Sequence, residues 1–395
     1  MPEANPEELI YDWNTRNRRG PLSPLRDRKL SFFDETLRDG IQSPSVRDPD
    51  IEQKMEILRL TASLGIDAVD LGLPGAGPRA VADVTALIEF AEQERLGIEY
   101  ACAARTHPAD INAVADIADK TGKSITVYAF LGSSPIRAYA EDWDVGLLLE
   151  RTVMAADLCR ERGLPMTFVT EDTTRSHPRT LDRLFRAAIE EGATRLVLCD
   201  TCGHSTPDGV RNLLGFTRSL LRALDMEERV ELDWHGHNDR GHALPLSLFA
   251  LEWGIDRVHG CALGIGERVG NTSMDLLLLN LHLMGELDPQ RHDLSCLVEY
   301  VRKTSQYTGV PIHPSYPLSG RDAFRTATGV HAAAVIKAER KGDLELADRV
   351  YSSVPARTFG RQQEIEIGHY SGRSNVVHWL RTHGIEPADP LVDRI

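Results

Sequence analysis

No apolar stretch in this 395-residue chain approaches the roughly 18–20 residues that a helix needs to cross a bilayer. Positive charge is also in short supply: 45 Lys and Arg against 59 Asp and Glu leave a formal charge of −14. That balance argues against a nucleic-acid or anionic-membrane partner, since like charges repel. The opening Met1-Pro2-Glu3-Ala4-Asn5 has no basic segment and no apolar run behind it. No signal peptide is therefore expected, and the protein is expected in the cytoplasm. Cysteine is sparse and scattered, six in all, which fits reduced thiols better than a disulfide framework. Cys199 and Cys202 form a lone CxxC without a second pair to complete a zinc site. Two thiols at a strand end are the expectation there.

What is present has a rhythm. Apolar runs bounded by turn residues fall at 30–33, 68–71, 99–103, 124–130, 165–170, 195–199, 231–234 and 257–262. Between and after them, stretches such as 51–64, 80–94, 146–162, 181–191, 207–224, 243–253 and 274–284 carry apolar residues at helical spacing. Repeated strand–helix units imply parallel strands with right-handed crossovers, and eight of them close into a (β/α)8 TIM barrel. Gly65, Gly97, Gly163, Gly192 and Gly254 stand where helices must stop in the left-handed conformation. We expect an N-terminal arm at 1–29, the barrel at 30–290, a linker at 291–322 and a small, mainly helical C-terminal subdomain at 323–395.

In such barrels reactive residues sit at the C-terminal ends of the strands. The first strand runs into Asp34-Glu35-Thr36-Leu37-Arg38-Asp39-Gly40, the seventh into His235-Gly236-His237-Asn238-Asp239. The eighth is followed by Gly264-Ile265-Gly266-Glu267-Arg268-Val269-Gly270-Asn271. Closure makes strands one, seven and eight neighbours, so these loops can meet over one rim. His235 and His237 are two apart in an extended segment and point to the same side. Two imidazoles with the Asp39 carboxylate and the Asn271 carboxamide oxygen suit Zn2+, Mn2+ or Mg2+ with positions left open.

The strings DETLRDGIQSP, HGHNDRGHA and GIGERVGN resemble the signatures of the DRE-TIM metallolyase superfamily, in its Claisen-condensing branch. That branch holds the 2-isopropylmalate, homocitrate and citramalate synthases, and the resemblance covers roughly residues 30–380. It implies a divalent metal on Asp39, His235, His237 and Asn271, and acetyl-CoA as co-substrate. It also implies that Arg38 polarises the 2-oxo group, that Gln42 lies at the substrate, and that Thr201 binds the oxo acid's carboxylate. Glu171 matches a glutamate paired with a histidine, here His331, with Tyr351 matching a further tyrosine. In the family that histidine comes from the appended domain of the partner, which implies a homodimer with exchanged C-terminal subdomains. The run from Ile367 to Arg373 resembles the synthases' short Ser-Gly-Arg segment, and its expected role here is structural.

The implied reaction removes a methyl proton from acetyl-CoA, adds the enolate to C2 of a 2-oxo acid, and hydrolyses the thioester. Tyr128, Phe130 and Val169 are expected to face the substrate's side chain, giving an apolar, partly aromatic pocket. That argues against a second carboxylate, hence against homocitrate or citrate synthesis, and leaves 2-oxoisovalerate or phenylpyruvate, the latter giving 2-benzylmalate. Citramalate synthesis remains an alternative. Ile41 and Cys261 instead resemble the 3-hydroxy-3-methylglutaryl-CoA lyases of the superfamily, although GERVGN and His331 are synthase features. The absence of a biotin-attachment Met-Lys-Met removes the carboxylases. A retired barrel acting as a binding module is the reading from another class. With the chain ending at Ile395, no leucine feedback is expected.

Overall fold

The computed structural model describes residues 9–11, 13–14 and 29–395, so the expected arm at 1–29 lies largely outside the described residues. Eight parallel strands close into a barrel in chain order. They are β1 (Ser31–Asp34), β2 (Ala68–Asp70), β3 (Glu99–Arg105), β4 (Thr126–Gly132), β5 (Met166–Glu171), β6 (Arg195–Asp200), β7 (Glu231–Gly236) and β8 (Arg257–Gly260). The ring shuts where β1 pairs with β8, from Ser31 beside Arg257 to Asp34 beside Gly260. Strand residues are buried on both faces, as in-barrel side chains and flanking helices require.

Crossover helices follow the strands: α1 (Ile51–Ser63), α2 (Pro78–Glu94) and α3 (Pro108–Thr121) come first. The short α4 (Pro135–Ala140) precedes α5 (Val145–Glu161) and has no counterpart in the expected rhythm. Then come α6 (Pro178–Glu190), α7 (Pro207–Ala223), α8 (Ala243–Glu252) and α9 (Met274–Leu283). Local chemistry sets their ends. Asp50 and Gln53 form a reciprocal capping box at α1, and Pro opens α2, α3, α6 and α7, where its missing N–H costs nothing. All five glycines expected to stop helices have positive φ. At Gly65 the requirement is double, because an added Cβ would also lie 2.3 Å from the Arg291 carbonyl oxygen.

By contacts the chain forms two compact units, one including residues 29–293 and Glu299–Val310, the other including Leu294–Val298 and Pro311–Ile395. The stretch expected to be a linker carries a helix, α10 (Leu297–Thr308). In the second unit α11 (Gly329–Glu339), α12 (Leu344–Arg349), α13 (Arg373–Thr382) and α14 (Asp389–Val392) accompany two parallel strands, β9 (Arg325–Thr326) and β10 (Glu364–Ile365). Ala332, Val335, Ile336 and Ile365 form one small core there, and Val376, Leu380 and Val392 another. Ser371, in the segment expected to be structural, donates to the Ala327 carbonyl (2.7 Å) and accepts from the Gly368 N–H (2.9 Å). Among the described residues no helix is long and apolar enough to cross a membrane.

Candidate active site

The strands bring their C-terminal ends to one rim, around a cavity of about 340 Å³. Arg38, Asp39 and Gln42 line it from the loop after β1, with His235 of β7 and His237 just beyond that strand. Tyr128 and Phe130 of β4, Val169 and Glu171 of β5, and Thr201 after β6 form the opposite side. Ten of the residues singled out from the sequence therefore meet in one space. His331 and Tyr351 belong to the other compact unit, where both are exposed and their rings stack 4.1 Å apart.

The loop after β1 is wound tightly enough to turn its polar side chains inward. The Glu35 carbonyl accepts from the N–H groups of Arg38 (3.1 Å) and Gly40 (3.0 Å), and Asp34 Oδ1 accepts from the Thr36 N–H (2.8 Å). Thr36 Oγ1 accepts from the Ala262 N–H (2.9 Å), tying this loop to the one after β8. In β7 the two-residue period puts Asp233 and His235 on one face, and His237 follows them, its ring 5.0 Å from that of His235. Asp39 Oδ2 lies 3.7 Å from His235 Nε2 and 3.5 Å from His237 Nε2.

Those distances are too long for good hydrogen bonds but match atoms sharing a divalent ion, which stand about 3.3 Å apart. Asp39 Oδ2, His237 Nδ1 and Asn271 Oδ1 are moreover buried without a hydrogen-bond partner, a costly state unless a cation takes the oxygens. Burial and the neighbouring His235 push the His237 imidazole down to about 4, so it stays neutral with a lone pair to give. Asn271 faces His237 in a single bridge, and its Nδ2 donates to the Ile265 carbonyl (3.0 Å), leaving Oδ1 as the free atom. The donor set present fits a divalent metal.

Arg38 is clamped by carboxylates: Nε donates to Asp70 (2.7 Å) and Nη2 to Glu35 (2.7 Å). Burial pushes the Glu171 carboxyl up, only partly opposed by Arg137, whose Nε is 3.5 Å away. Thr201 Oγ1 accepts from the Asp172 N–H (2.8 Å), which leaves its own proton to donate. The Tyr128 ring stacks on Phe33 at 4.4 Å, with its hydroxyl between Asp233 (3.4 Å) and Arg257 (3.3 Å). It therefore offers the cavity ring surface rather than a free hydroxyl.

Glu35, His259 and Arg268 also line the cavity and were not singled out from the sequence. Parity could have found Glu35, two residues beyond the inward Phe33; for Arg268, which donates to Asp239 (2.8 Å) across loops, no sequence signal exists. Cys261 and Cys199 are buried, and burial pushes both thiols well up. Cys202 accepts from Arg175 at 3.0 Å.

Residues 29–302 match the HMGL-like family. The chain belongs to the HMGL-like family. Within it, a homocitrate synthase of Methanopyrus kandleri is 31% identical over 375 residues, covering 93% of this chain and 86% of that protein. A 2-isopropylmalate synthase of Halothermothrix orenii is 29% identical over 371 residues, covering 93% of this chain and 68% of that protein. Among solved structures, hydroxymethylglutaryl-CoA lyase from Pseudomonas aeruginosa superposes with a TM-score of 0.58 at 21% identity, covering 71% of this chain and 93% of that one. That last likeness is one of fold. The resemblance to the DRE-TIM synthases drawn from three short motifs thus extends over nearly the whole HMGL-like chain.

Proposed function

We propose that this protein is a divalent-metal-dependent acyltransferase that condenses acetyl-CoA with a 2-oxo acid of apolar side chain, in the manner of a 2-isopropylmalate synthase. One observation carries the reading: a single cavity has Arg38, Asp39, His235 and His237 on one side and Tyr128, Phe130 and Val169 on the other. Asp39, His235 and His237, with Asn271 beside them, would hold Zn2+, Mn2+ or Mg2+, which when bound supplies Lewis acidity toward the 2-oxo group. Arg38 donates to the 2-oxo oxygen as negative charge grows on it. The Thr201 hydroxyl donates to the acid's carboxylate, with Gln42 at the same substrate. Glu171 and His331 form the base system that takes the methyl proton of acetyl-CoA, and Tyr351 travels with His331. His331 then comes from the second copy of a homodimer, in keeping with its exposure in the single chain. Hydrolysis of the CoA thioester makes the sequence irreversible.

Free-thiol release from acetyl-CoA, measured with 2-oxoisovalerate, phenylpyruvate, pyruvate and 2-oxoglutarate, tests this directly. The apolar acids should be favoured, and chelation should abolish the signal. A preference for 2-oxoglutarate would contradict the apolar wall. Release of acetoacetate from 3-hydroxy-3-methylglutaryl-CoA would replace the synthase reading with a lyase.

A further inference from the structure

Barrels of this kind ordinarily fill their interior with apolar layers. Here a buried polar column runs up to the rim through Asp233, His259, Glu35 and His235. His259 Nε2 lies 3.0 Å from Asp233 Oδ2, His259 Nδ1 lies 3.4 Å from Glu35 Oε1, and His235 Nδ1 lies 2.7 Å from Glu35 Oε2. None of the four is more than 8% exposed. Guanidinium groups flank both carboxylates of the column, Arg195 on Asp233 and Arg38 on Glu35. Withdrawing so many ionisable groups from water is unfavourable, and apolar side chains of similar size would fill the space without that cost. Packing alone does not account for them.

We propose that Glu35 is the positioning residue of the metal site, with His259 and Asp233 holding Glu35 in place. The inference rests on the reading of Asp39, His235 and His237 as metal ligands. With Glu35 accepting from Nδ1, the proton of His235 stays on that nitrogen and the Nε2 lone pair is left facing Asp39. A carboxylate behind a ligating imidazole fixes both its tautomer and its ring angle, and makes it a stronger donor. The second Glu35 oxygen takes the Arg38 guanidinium, so one carboxylate orients the ligand and the cationic donor beside it. Glu35, His235 and His259 are close enough together to raise a rival reading, in which they hold an ion of their own. The 2.7 Å between His235 Nδ1 and Glu35 Oε2 decides against it: that is a hydrogen-bond length, shorter than the roughly 3.3 Å between two atoms sharing one ion.

The test is calorimetric titration of the full-length, chelator-stripped protein with Mn2+ or Zn2+ alone, in the wild type, Glu35→Gln and His259→Gln. Glu35→Gln should weaken metal binding by about 10–100-fold at unchanged stoichiometry of one, and saturating metal should restore kcat to within about tenfold. Damage to packing alone would not be rescued by metal. His259→Gln leaves the Glu35–His235 bond in place and should cost only a few-fold, so it decides the matter if Glu35→Gln does not fold. Wild-type affinity in both variants would overturn the proposal while leaving the metal site standing. Two ions in the wild type and one in Glu35→Gln would make Glu35 a ligand instead. A wild type that binds no metal would overturn the site reading itself, and this one with it.

Discussion

The arc of the rim made by β7, β8 and β1 and the arc made by β3 to β6 face each other across one cavity, yet they are built to opposite rules. On the first, Arg38, Glu35, His235, His259 and Asp233 are held by directional bonds to charged or ionisable partners, as Arg38 is by Glu35 and Asp70. On the second, Ala101, Tyr128, Val169, Val197 and Cys199 pack with Phe33 and Ala68 into one apolar cluster. Directional bonds fix atoms to within tenths of an ångström, whereas packing fixes only a shape. On the proposed function, bond-making groups fall on one arc and substrate choice on the other. Glu171 crosses the division, standing one layer above Val169 on the apolar side.

Changing Glu171 should have the largest effect. Glu171→Gln is expected to lower kcat by roughly 10³-fold with little change in KM. Burial raises the Glu171 pKa, so the base form fills only as pH climbs above the ordinary glutamate range. In the wild type kcat/KM should therefore rise with pH on its acid side, and a pH profile of the variant should lack that limb. An unchanged limb would remove Glu171 from the base role and leave His331 to supply it.

Phe130→Ala should sharpen the contrast from the apolar side. The ratio of kcat/KM for phenylpyruvate over pyruvate should rise by roughly 10²-fold, with much less effect on metal affinity. A constant ratio would mean that this wall does not read the side chain.

The smallest effect concerns stability within the polar arc. Burial pushes the Asp34 carboxyl up to about 6, against the hydrogen bonds from Tyr300 and Thr36. A raised pKa favours the folded state while the group is protonated, and that contribution is lost as pH rises from about 4 through about 6. Denaturant titrations should show Asp34→Asn gaining on the wild type by on the order of 2 kcal/mol between pH 4 and pH 7. A gap independent of pH would show Asp34 ionised throughout.

Much of this was legible in the sequence because it depends on short-range spacing. His235 and His237 declare themselves by a period of two at a strand end, and Asp39 by its place after the first strand. The polar column was hidden in strands that read as apolar, since Asp233 and His259 are tolerable only beside counter-charges from elsewhere. Arg195, which neutralises Asp233, is 38 residues away, and no local pattern announces such a pairing. Helix α10 does not announce itself in the sequence, because its second half carries Lys303, Gln306 and four hydroxyl-bearing residues, Thr304, Ser305, Tyr307 and Thr308. The apolar wall was foreseen as residues but not as geometry: that the Tyr128 hydroxyl turns down toward Asp233 and Arg257 is a tertiary fact.

The Thr36 hydroxyl that accepts from Ala262 joins residues 226 apart, and the candidate ligands, from Asp39 to Asn271, are spread slightly more widely. Asp39 is made early in synthesis and Asn271 late, with the histidines between. A ribosome adding about 5–20 residues per second needs roughly 10–50 s to pass from one to the other. For most of that interval the nascent chain has Asp39 and Arg38 but neither histidine. On the proposed metal site, an ion is captured only once the ring can shut.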